Sequence, residues 1–319
     1  MKIDHFDVIL SKDSGQHYIG GECVQGKIEV NVTEKVQISR LSVRLHGQTQ
    51  TSWRNKNSDV VYESKELVLS EYADLTRDLF LHCDDDFYLS EGFHNIAFQI
   101  PLPLDVISSI ERENHGWVRY TCTAVLDIPE NGASEIVAEK NFQVNSLLNL
   151  DAPHFRQPAT SREQVEVVGC CCRRPRGNVS VQMTVAETGL LPGETIQITL
   201  VIENDLKRGK SKKHKESHEC VLLSLCQQLD FRSQNRYELH LFDRKALTIA
   251  VESHGTCKAT PGKGPETKFV NFKVPEDLPP TSIKANGLIT CSYFFKLDMD
   301  HFDVIVPVVI GTVKTPGVV

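Results

Sequence analysis

The sequence has no run of apolar residues long enough to cross a bilayer, which takes roughly 18 in succession. It contains no Gly-x-Ser-x-Gly, no phosphate-binding glycine loop and no His-Glu-x-x-His, and its 12 histidines are scattered. Acidic residues outnumber basic ones by 42 to 35, which argues against general nucleic-acid binding. We therefore expect a globular protein that is not an enzyme, needs no cofactor, spans no membrane and binds no nucleic acid.

Cysteine is plentiful, with ten residues, but no two of them form a Cys-x-x-Cys pair. The first five residues, Met1 to His5, carry an acid where a secretory signal peptide needs an apolar stretch. We therefore expect a cytoplasmic protein with free thiols and no structural zinc site. The acidic run Asp84-Asp85-Asp86 lacks the further oxygen ligands that calcium requires, so we interpret it as a solvated loop.

Two halves of the chain repeat each other at an offset of about 172 residues, which predicts a duplicated module. The matching segments are Gly21 to Gln25 with Gly193 to Gln197, Phe98 to Pro101 with Phe272 to Pro275, and Leu126-Asp127 with Leu297-Asp298. The hexapeptide Asp-His-Phe-Asp-Val-Ile occurs at 4–9 and again at 300–305. Because it is out of register with the repeat, we expect it to occupy a different position in each copy.

Apolar and polar residues alternate through most of both copies, which is the pattern of half-buried strands. Helical periodicity is scarce: it predicts a short helical turn at 104–112 and is ambiguous at 74–81. Several short strands with frequent turn residues indicate a β-sandwich in each copy. We assign residues 1–148 and 177–316 to the two sandwiches and 149–176, which is rich in proline and polar residues, to the connection.

Four ordered segments resemble the arrestin-domain proteins of the α-arrestin branch, and the resemblance extends over nearly the whole chain. They are Gly92 to Pro101, Gly116-Trp117-Val118-Arg119-Tyr120 continuing to Leu126, Leu191-Pro192-Gly193-Glu194, and Val306 to Thr312. The resemblance implies an all-β fold of two tandem immunoglobulin-like β-sandwiches, the arrestin-like N-terminal and C-terminal domains. It also implies a non-catalytic adaptor that binds membrane cargo proteins and links them to endocytosis or ubiquitin-linked sorting.

The sequence departs from many α-arrestins in one respect, because it has no Pro-Pro-x-Tyr motif for the WW domains of ubiquitin ligases. Its only Pro-Pro pair, Pro279-Pro280, is followed by Thr281 and Ser282. Two other functions stay open: a retromer-type coat scaffold subunit, and a redox-responsive regulator that binds thioredoxin. For the adaptor we expect a cytoplasmic location with peripheral contact at the plasma membrane or endosomes.

Three adjacent thiols, Cys170, Cys171 and Cys172, precede three arginines. This combination would suit lipidation beside an anionic membrane, or thiols made reactive by neighbouring positive charge. The alternative is a strand or linker edge that packs the thiols as small apolar groups.

A basic segment carries six positive charges within nine residues. They are Lys207, Arg208, Lys210, Lys212, Lys213 and Lys215. The segment could bind anionic lipid headgroups or a phosphorylated cargo tail. The alternatives are a nuclear-import signal and a solvated hairpin loop.

Cys257 lies in Gly255-Thr256-Cys257-Lys258, which we place in an exposed loop. This setting resembles the loop of the thioredoxin-interacting α-arrestin whose cysteine forms a mixed disulfide with thioredoxin. The neighbouring Lys258 would favour the thiolate. The alternative is an inert loop thiol.

Overall fold

A computed structural model describes residues 2–55, 59–84, 87–129, 134–168, 175–205, 220–257, 264–284, 286–299 and 302–315. Most of these residues lie in strands, and the described part of the chain has one short α-helix and one 3₁₀ turn. The prediction of an all-β fold is therefore confirmed.

The elements of the first half are strands, with one short helix among them. They are β1 (Ile3–Leu10), β2 (His17–Ile19), β3 (Cys23–Val32), β4 (Val36–Gln37), β5 (Arg40–Arg54), β6 (Val61–Asp74), α1 (Thr76–Phe80), β7 (Tyr88–Leu89), β8 (Gly92–Pro101), β9 (Ile110–Arg112), β10 (Gly116–Ile128) and β11 (Ser134–Asn145).

The second half begins with a 3₁₀ turn and continues as strands. The elements are η1 (Pro153–Arg156), β12 (Ala159–Val168), β13 (Pro175–Val185), β14 (Gly189–Leu190), β15 (Thr195–Asn204), β16 (Cys220–Gln234), β17 (Phe242–Cys257), β18 (Glu266–Lys273), β19 (Ile289–Asp298) and β20 (Asp303–Ile310). Strand β12 lies within 149–176, the segment assigned to the connection, and pairs with β13.

The chain forms two compact units. The first contains Met1–Leu147 together with Phe231–Lys245 and Ser282–Ile289, and the second contains the rest. In the first unit the strand orders are β1-β3-β8 in one sheet and β2-β11-β10-β5-β6 in the other, with β9 beside β10. Inward side chains of both sheets, including Val24, Ile28, Leu41 and Val43, are fully buried. Burial of each such side chain contributes about 1.5–3 kcal/mol to stability.

The second unit repeats this arrangement. Its sheets have the orders β12-β13-β15-β18 and β14-β20-β19-β16-β17. In each unit a short strand pairs in parallel with a late strand, β2 with β11 and β14 with β20. The shared strand order confirms that one sandwich occurs twice.

The turns that enter β3 and β15 show the repeat at the level of single hydrogen bonds. Gly21 and Gly193 have φ of 88° and 80°, values that glycine adopts without strain. The N–H of Glu22 donates to the carbonyl of Ile19 at 2.9 Å, and that of Glu194 to the carbonyl of Leu191 at 3.2 Å. A hydrogen bond across four residues with a positive φ at the third is typical of a type II turn.

The match between Phe98 and Phe272 is displaced by two residues in the structure. In the ladders, Ile100 lies opposite Val24 and Phe272 lies opposite Ile196, so Phe272 occupies the place of Ile100 and not that of Phe98. Because the displacement is even, the apolar side chains still face the core, and the alternation alone could not reveal the shift. The repeated hexapeptide also occupies different places, since residues 4–9 lie in β1 and 303–305 begin β20.

The predicted helical turn at 104–112 is wrong, because this segment forms a turn and then β9. Its backbone groups bond to neighbouring strands: the hydroxyl of Tyr120 donates to the carbonyl of Ile107 at 2.6 Å, and the N–H of Ser109 donates to the carbonyl of Val144. The ambiguous segment 74–81 contains α1, whose Leu79 is fully buried.

Candidate functional site

Strand β5 separates the core of the first unit from a polar surface. Leu41, Val43 and Leu45 point inward and are fully buried. The alternation along the strand therefore turns Arg40, Arg44 and His46 to the opposite side. We call this outward surface of the β2-β11-β10-β5-β6 sheet the polar face. Its lining residues are Arg40, Ser42, Arg44, His46, Tyr72, Thr121, Thr123, Val125, Asp127, Glu135 and Glu139.

The strand register places these side chains in rows across the sheet. Arg44 lies opposite Tyr72 of β6 on one side and opposite Thr123 of β10 on the other. Thr123 in turn lies opposite Glu139 of β11. The polar face forms an open depression with a volume of about 460 Å³. Its width of two strand spacings between β5 and β11, about 10 Å, can hold one extended peptide.

Opposite charges lie on opposite sides of the depression. Arg40 and Arg44 line the β5 side, whereas Glu135 and Glu139 line the β11 side. The hydroxyl of Thr123 donates to Oε1 of Glu139 at 3.3 Å and so orients that carboxylate. The polar face can therefore attract an acidic group along one side and a basic group along the other.

One carboxylate oxygen on the polar face has no hydrogen bond. Oδ1 of Asp127 is shielded from solvent and has no partner among the described residues. The guanidinium of Arg40 instead donates to the hydroxyl of Tyr72, and this bond raises the pKa of Arg40. A shielded acceptor is costly to leave unpaired, so this oxygen lowers the stability of the first unit.

The second unit offers a strand edge. Among the described residues, strand β18 pairs with β15 and ends its sheet, so alternate N–H and carbonyl groups along its other edge point away from the sheet. Phe269 at the middle of β18 is 67% exposed. Such an edge can accept an added strand, with Phe269 as an apolar contact.

Comparison with known proteins identifies the family of a chain with this fold. The model of the arrestin (or S-antigen) N-terminal domain matches residues 6–151, and that of the arrestin C-terminal domain matches residues 175–315. The chain belongs to the arrestin-domain family. Its similarity to arrestin domain-containing proteins supports its place in the α-arrestin branch. Arrestin-family proteins are generally non-catalytic adaptors.

Three relatives illustrate the similarity. Arrestin domain-containing protein 17 of Caenorhabditis elegans is 26% identical over 64% of this chain and 49% of its own length. Arrestin domain-containing protein 15 of the same organism is 23% identical over 88% of this chain and 71% of its own length. Human thioredoxin-interacting protein is 26% identical over 65% of this chain and 52% of its own length. The matched part of this arrestin-domain chain thus spans about half the length of the first and third relatives.

Two of the predicted sites lie outside the described residues. They are the thiols Cys170, Cys171 and Cys172 and the basic segment with Lys207, Arg208, Lys210, Lys212, Lys213 and Lys215. Both stay predictions.

Cys257 is the last residue of β17 and not a residue of a loop, since the strand extends further than the sequence pattern indicates. Residues 258–263 lie outside the described part.

Five other cysteines of the described part are free thiols, namely Cys23, Cys83, Cys122, Cys226 and Cys291. Burial raises the pKa of Cys122 to about 12, and burial also raises the pKa of Cys83 and of Cys226. These three thiols therefore stay protonated at neutral pH and are weak nucleophiles.

Of the acidic run 84–86, only Asp84 belongs to the described residues. Oδ1 of Asp84 accepts the N–H of Tyr88 at 2.9 Å, and Oδ2 lies 2.5 Å from Nζ of Lys35. The described residues contain no group of three or more side chains arranged to hold a metal ion. The described residues also contain no helix long and apolar enough to cross a membrane.

The sequence patterns did not identify the polar face as a site. The alternation separates Arg44 from Leu45 on β5, but it does not state which strands are neighbours. Arg44 is far in the chain from Thr123 and Glu139 and lies beside them only through the strand order β11-β10-β5.

Proposed function

We propose that this protein is a non-catalytic adaptor that binds extended segments of membrane cargo proteins on the polar face of its first unit. In this proposal it acts in protein transport, endocytosis and ubiquitin-linked sorting. The row Arg44–Thr123–Glu139 is the observation that carries the proposal, because it provides both signs of charge across one peptide width. Membership of the arrestin-domain family supports the adaptor function.

The charge pattern specifies what a bound segment should contain. Acidic or phosphorylated side chains would lie toward Arg40 and Arg44, and basic side chains toward Glu135 and Glu139. The open edge of β18 would add a second contact by strand addition.

A charge swap tests this function. Arg44→Glu combined with Glu139→Arg keeps the net charge of the chain but reverses the two charges of the Arg44–Thr123–Glu139 row. The matched control is Lys27→Glu with Glu29→Lys, which swaps an ion pair of 2.7 Å on β3 in the other sheet of the same unit. Affinity capture from membrane extracts should lose bound membrane proteins with the first swap and keep them with the control. Equal capture by both variants would refute cargo binding at the polar face.

Membrane contact would bring the adaptor to its cargo. We place this contact in the predicted acylation of Cys170, Cys171 and Cys172 and in the six basic residues of 207–215. Acyl-exchange labelling should fall when the three cysteines become serine. Salt-sensitive binding to phosphoinositide vesicles should fall when the lysines become glutamine.

A second candidate function is thioredoxin binding through Cys257. It is favoured by similarity to a relative named thioredoxin-interacting protein. In the proposed step the Cys257 thiolate attacks a thioredoxin disulfide, which forms a mixed disulfide and expels one thioredoxin thiolate. A disulfide-linked complex on non-reducing gels should form with the natural chain and disappear with Cys257→Ser. A complex that persists in this variant would exclude Cys257.

A coat scaffold subunit is the remaining alternative. It would co-purify with coat subunits in a fixed stoichiometry, whereas an adaptor would capture cargo in variable, substoichiometric amounts.

A further inference from the structure

The turn between β16 and β17 exposes an unusual number of large apolar side chains. Tyr237 is 79% exposed, Leu239 66%, Phe242 50% and Leu241 41%. We call residues 235–242 the apolar tip. Four large apolar side chains so close together cost free energy in water unless a partner covers them.

The apolar tip has a defined conformation that Asn235 organises. The Asn235 side chain is almost buried, and its Oδ1 accepts the N–H groups of Tyr237 at 2.9 Å and Glu238 at 3.1 Å. The N–H of Asn235 donates to the carbonyl of Leu241, and the N–H of Leu241 donates to the carbonyl of Glu238. The exposed side chains are therefore held outward by a structured turn.

Further hydrogen bonds satisfy backbone polar groups of the apolar tip, which lowers the cost of moving the tip into an apolar medium. The N–H of Arg236 donates to the carbonyl of Val61 at 3.1 Å, and the side chain of Gln234 donates to the carbonyl of Leu239. Each backbone group that is bonded in this way can enter the lipid boundary without losing a water partner. A turn bonded only to water would lack this property.

The base of the apolar tip is anchored in the first unit. The indole N–H of Trp53 donates to Oδ2 of Asp243 at 2.9 Å, and the hydroxyl of Thr51 donates to the carbonyl of Arg232 at 2.8 Å. The guanidinium of Arg232 lies 4.4 Å from the ring centre of Phe242. These contacts therefore fix the base of the tip to strand β5 of the first unit.

The segment that contains the apolar tip has more basic than acidic residues, although Glu238 lies within the tip itself. Residues 231–245 contain Arg232, Arg236, Arg244 and Lys245 but only two carboxylates, and one of these, Asp243, accepts the hydrogen bond from Trp53. The whole chain, by contrast, carries a net charge of −7. A local excess of cations behind exposed apolar side chains is complementary to an anionic lipid surface.

We propose that the apolar tip inserts Tyr237 and Leu239 into the headgroup region of an anionic membrane, with the surrounding arginines and lysine on lipid phosphates and carboxylates. This inference goes beyond cargo binding at the polar face and does not depend on it. A membrane fits better than a flat protein surface because the side chains project from a narrow turn.

Co-sedimentation of the full chain with vesicles tests the proposal. Vesicles of phosphatidylcholine with about 30% phosphatidylserine should bind the natural chain, and binding should fall with added salt. Leu239→Ser combined with Tyr237→Ser should weaken binding about tenfold or more. The matched control is Leu67→Ser, since Leu67 of β6 is also exposed, at 58%. Circular dichroism should show that both variants are folded.

An insertion readout separates the apolar tip from the basic segment 207–215. Leu239→Trp should shift to blue emission with the anionic vesicles and be quenched by brominated acyl chains, compared with the natural background of Trp53 and Trp117. Vesicle binding without this shift, or equal binding by the serine variant and the Leu67→Ser control, would overturn the proposal. A change from dimer to monomer in the serine variant would also overturn it, because the tip would then be a self-association surface.

Discussion

Nζ of Lys314 lies 2.9 Å from Oε1 of Glu194, the glutamate that begins the repeated module in the second unit. In the first unit, Nζ of Lys12 lies 2.5 Å from Oε2 of Glu22, the matching glutamate. In both copies the same carboxylate also accepts the N–H of the residue three positions earlier, at 2.9 Å in Glu194 and 2.8 Å in Glu22. The duplication therefore preserves an ion pair although the lysines come from unrelated positions in the chain.

Lys314→Met should destabilise the second unit by about 2 kcal/mol, because the side chain is only 11% exposed and contacts both Glu187 and Glu194. Removal of the ammonium leaves two partly buried carboxylates close together. Lys12→Met in the more exposed pair should cost about 1 kcal/mol or less. Urea unfolding of the full chain would measure both values. Equal losses would contradict the burial argument.

Each sandwich has a buried tyrosine whose hydroxyl should contribute to stability. The hydroxyl of Tyr120 donates to the carbonyl of Ile107, and that of Tyr293 donates to the carbonyl of Pro279 at 2.7 Å. Replacement of Tyr120 by phenylalanine leaves a carbonyl without this bond and should cost about 1 kcal/mol. Replacement of Tyr293 should cost more, because its hydroxyl also accepts a hydrogen bond from Nε2 of the buried Gln227 at 2.8 Å. Thermal unfolding would measure the loss of stability. The control is Tyr237→Phe, which should not change stability because the Tyr237 side chain is exposed.

The stability of the first unit should depend on the ionisation of Glu22. Burial acts to raise the pKa of Glu22, but hydrogen bonds from Lys12 and from the N–H of Ile19 outweigh it, so the pKa lies below its ordinary value of 4.5. The folded state thus favours the carboxylate, and this contribution is present above pH 4.5 and is lost as the pH falls through the lowered pKa.

Glu22→Gln should therefore unfold at lower urea concentration than the natural chain near neutral pH, and the difference should shrink between about pH 5 and pH 3. Because both members of the ion pair are partly exposed, the difference should be about 1 kcal/mol or less. A difference that stays constant over this pH range would show that the carboxylate charge does not contribute.

The fold could be predicted from the sequence because alternation and duplication are local or periodic signals. Glu22 and Glu194 occupy matching turns, as the repeated Gly-Glu pairs indicate. The two-residue displacement of Phe272 could not be predicted, since an even shift keeps every side chain on its face. The helical pattern at 104–112 gave a wrong prediction, because hydrogen bonds to neighbouring strands outweigh a weak local preference for helix.

The candidate site was less predictable than the fold. Prediction of the polar face requires knowledge of the strand order, because Arg44 and Glu139 are brought to the same row only through Thr123. Prediction of the apolar tip would require knowledge of the hydrogen bonds of Asn235. The sequence alone does not reveal whether a turn holds Tyr237 and Leu239 outward. Alternation can identify the outward side of a strand, but exposure and register decide what that side can bind.

Photo-crosslinking from the polar face tests the central proposal most directly. A photoreactive benzoylphenylalanine would replace Thr123 in the middle of the row, and the same group would replace Glu29 on the other sheet as a control. After irradiation in cells, mass spectrometry should find membrane proteins attached at position 123 through segments outside the bilayer, and not at position 29. Absence of membrane-protein adducts at position 123, or the same adducts from both positions, would contradict cargo binding on the polar face.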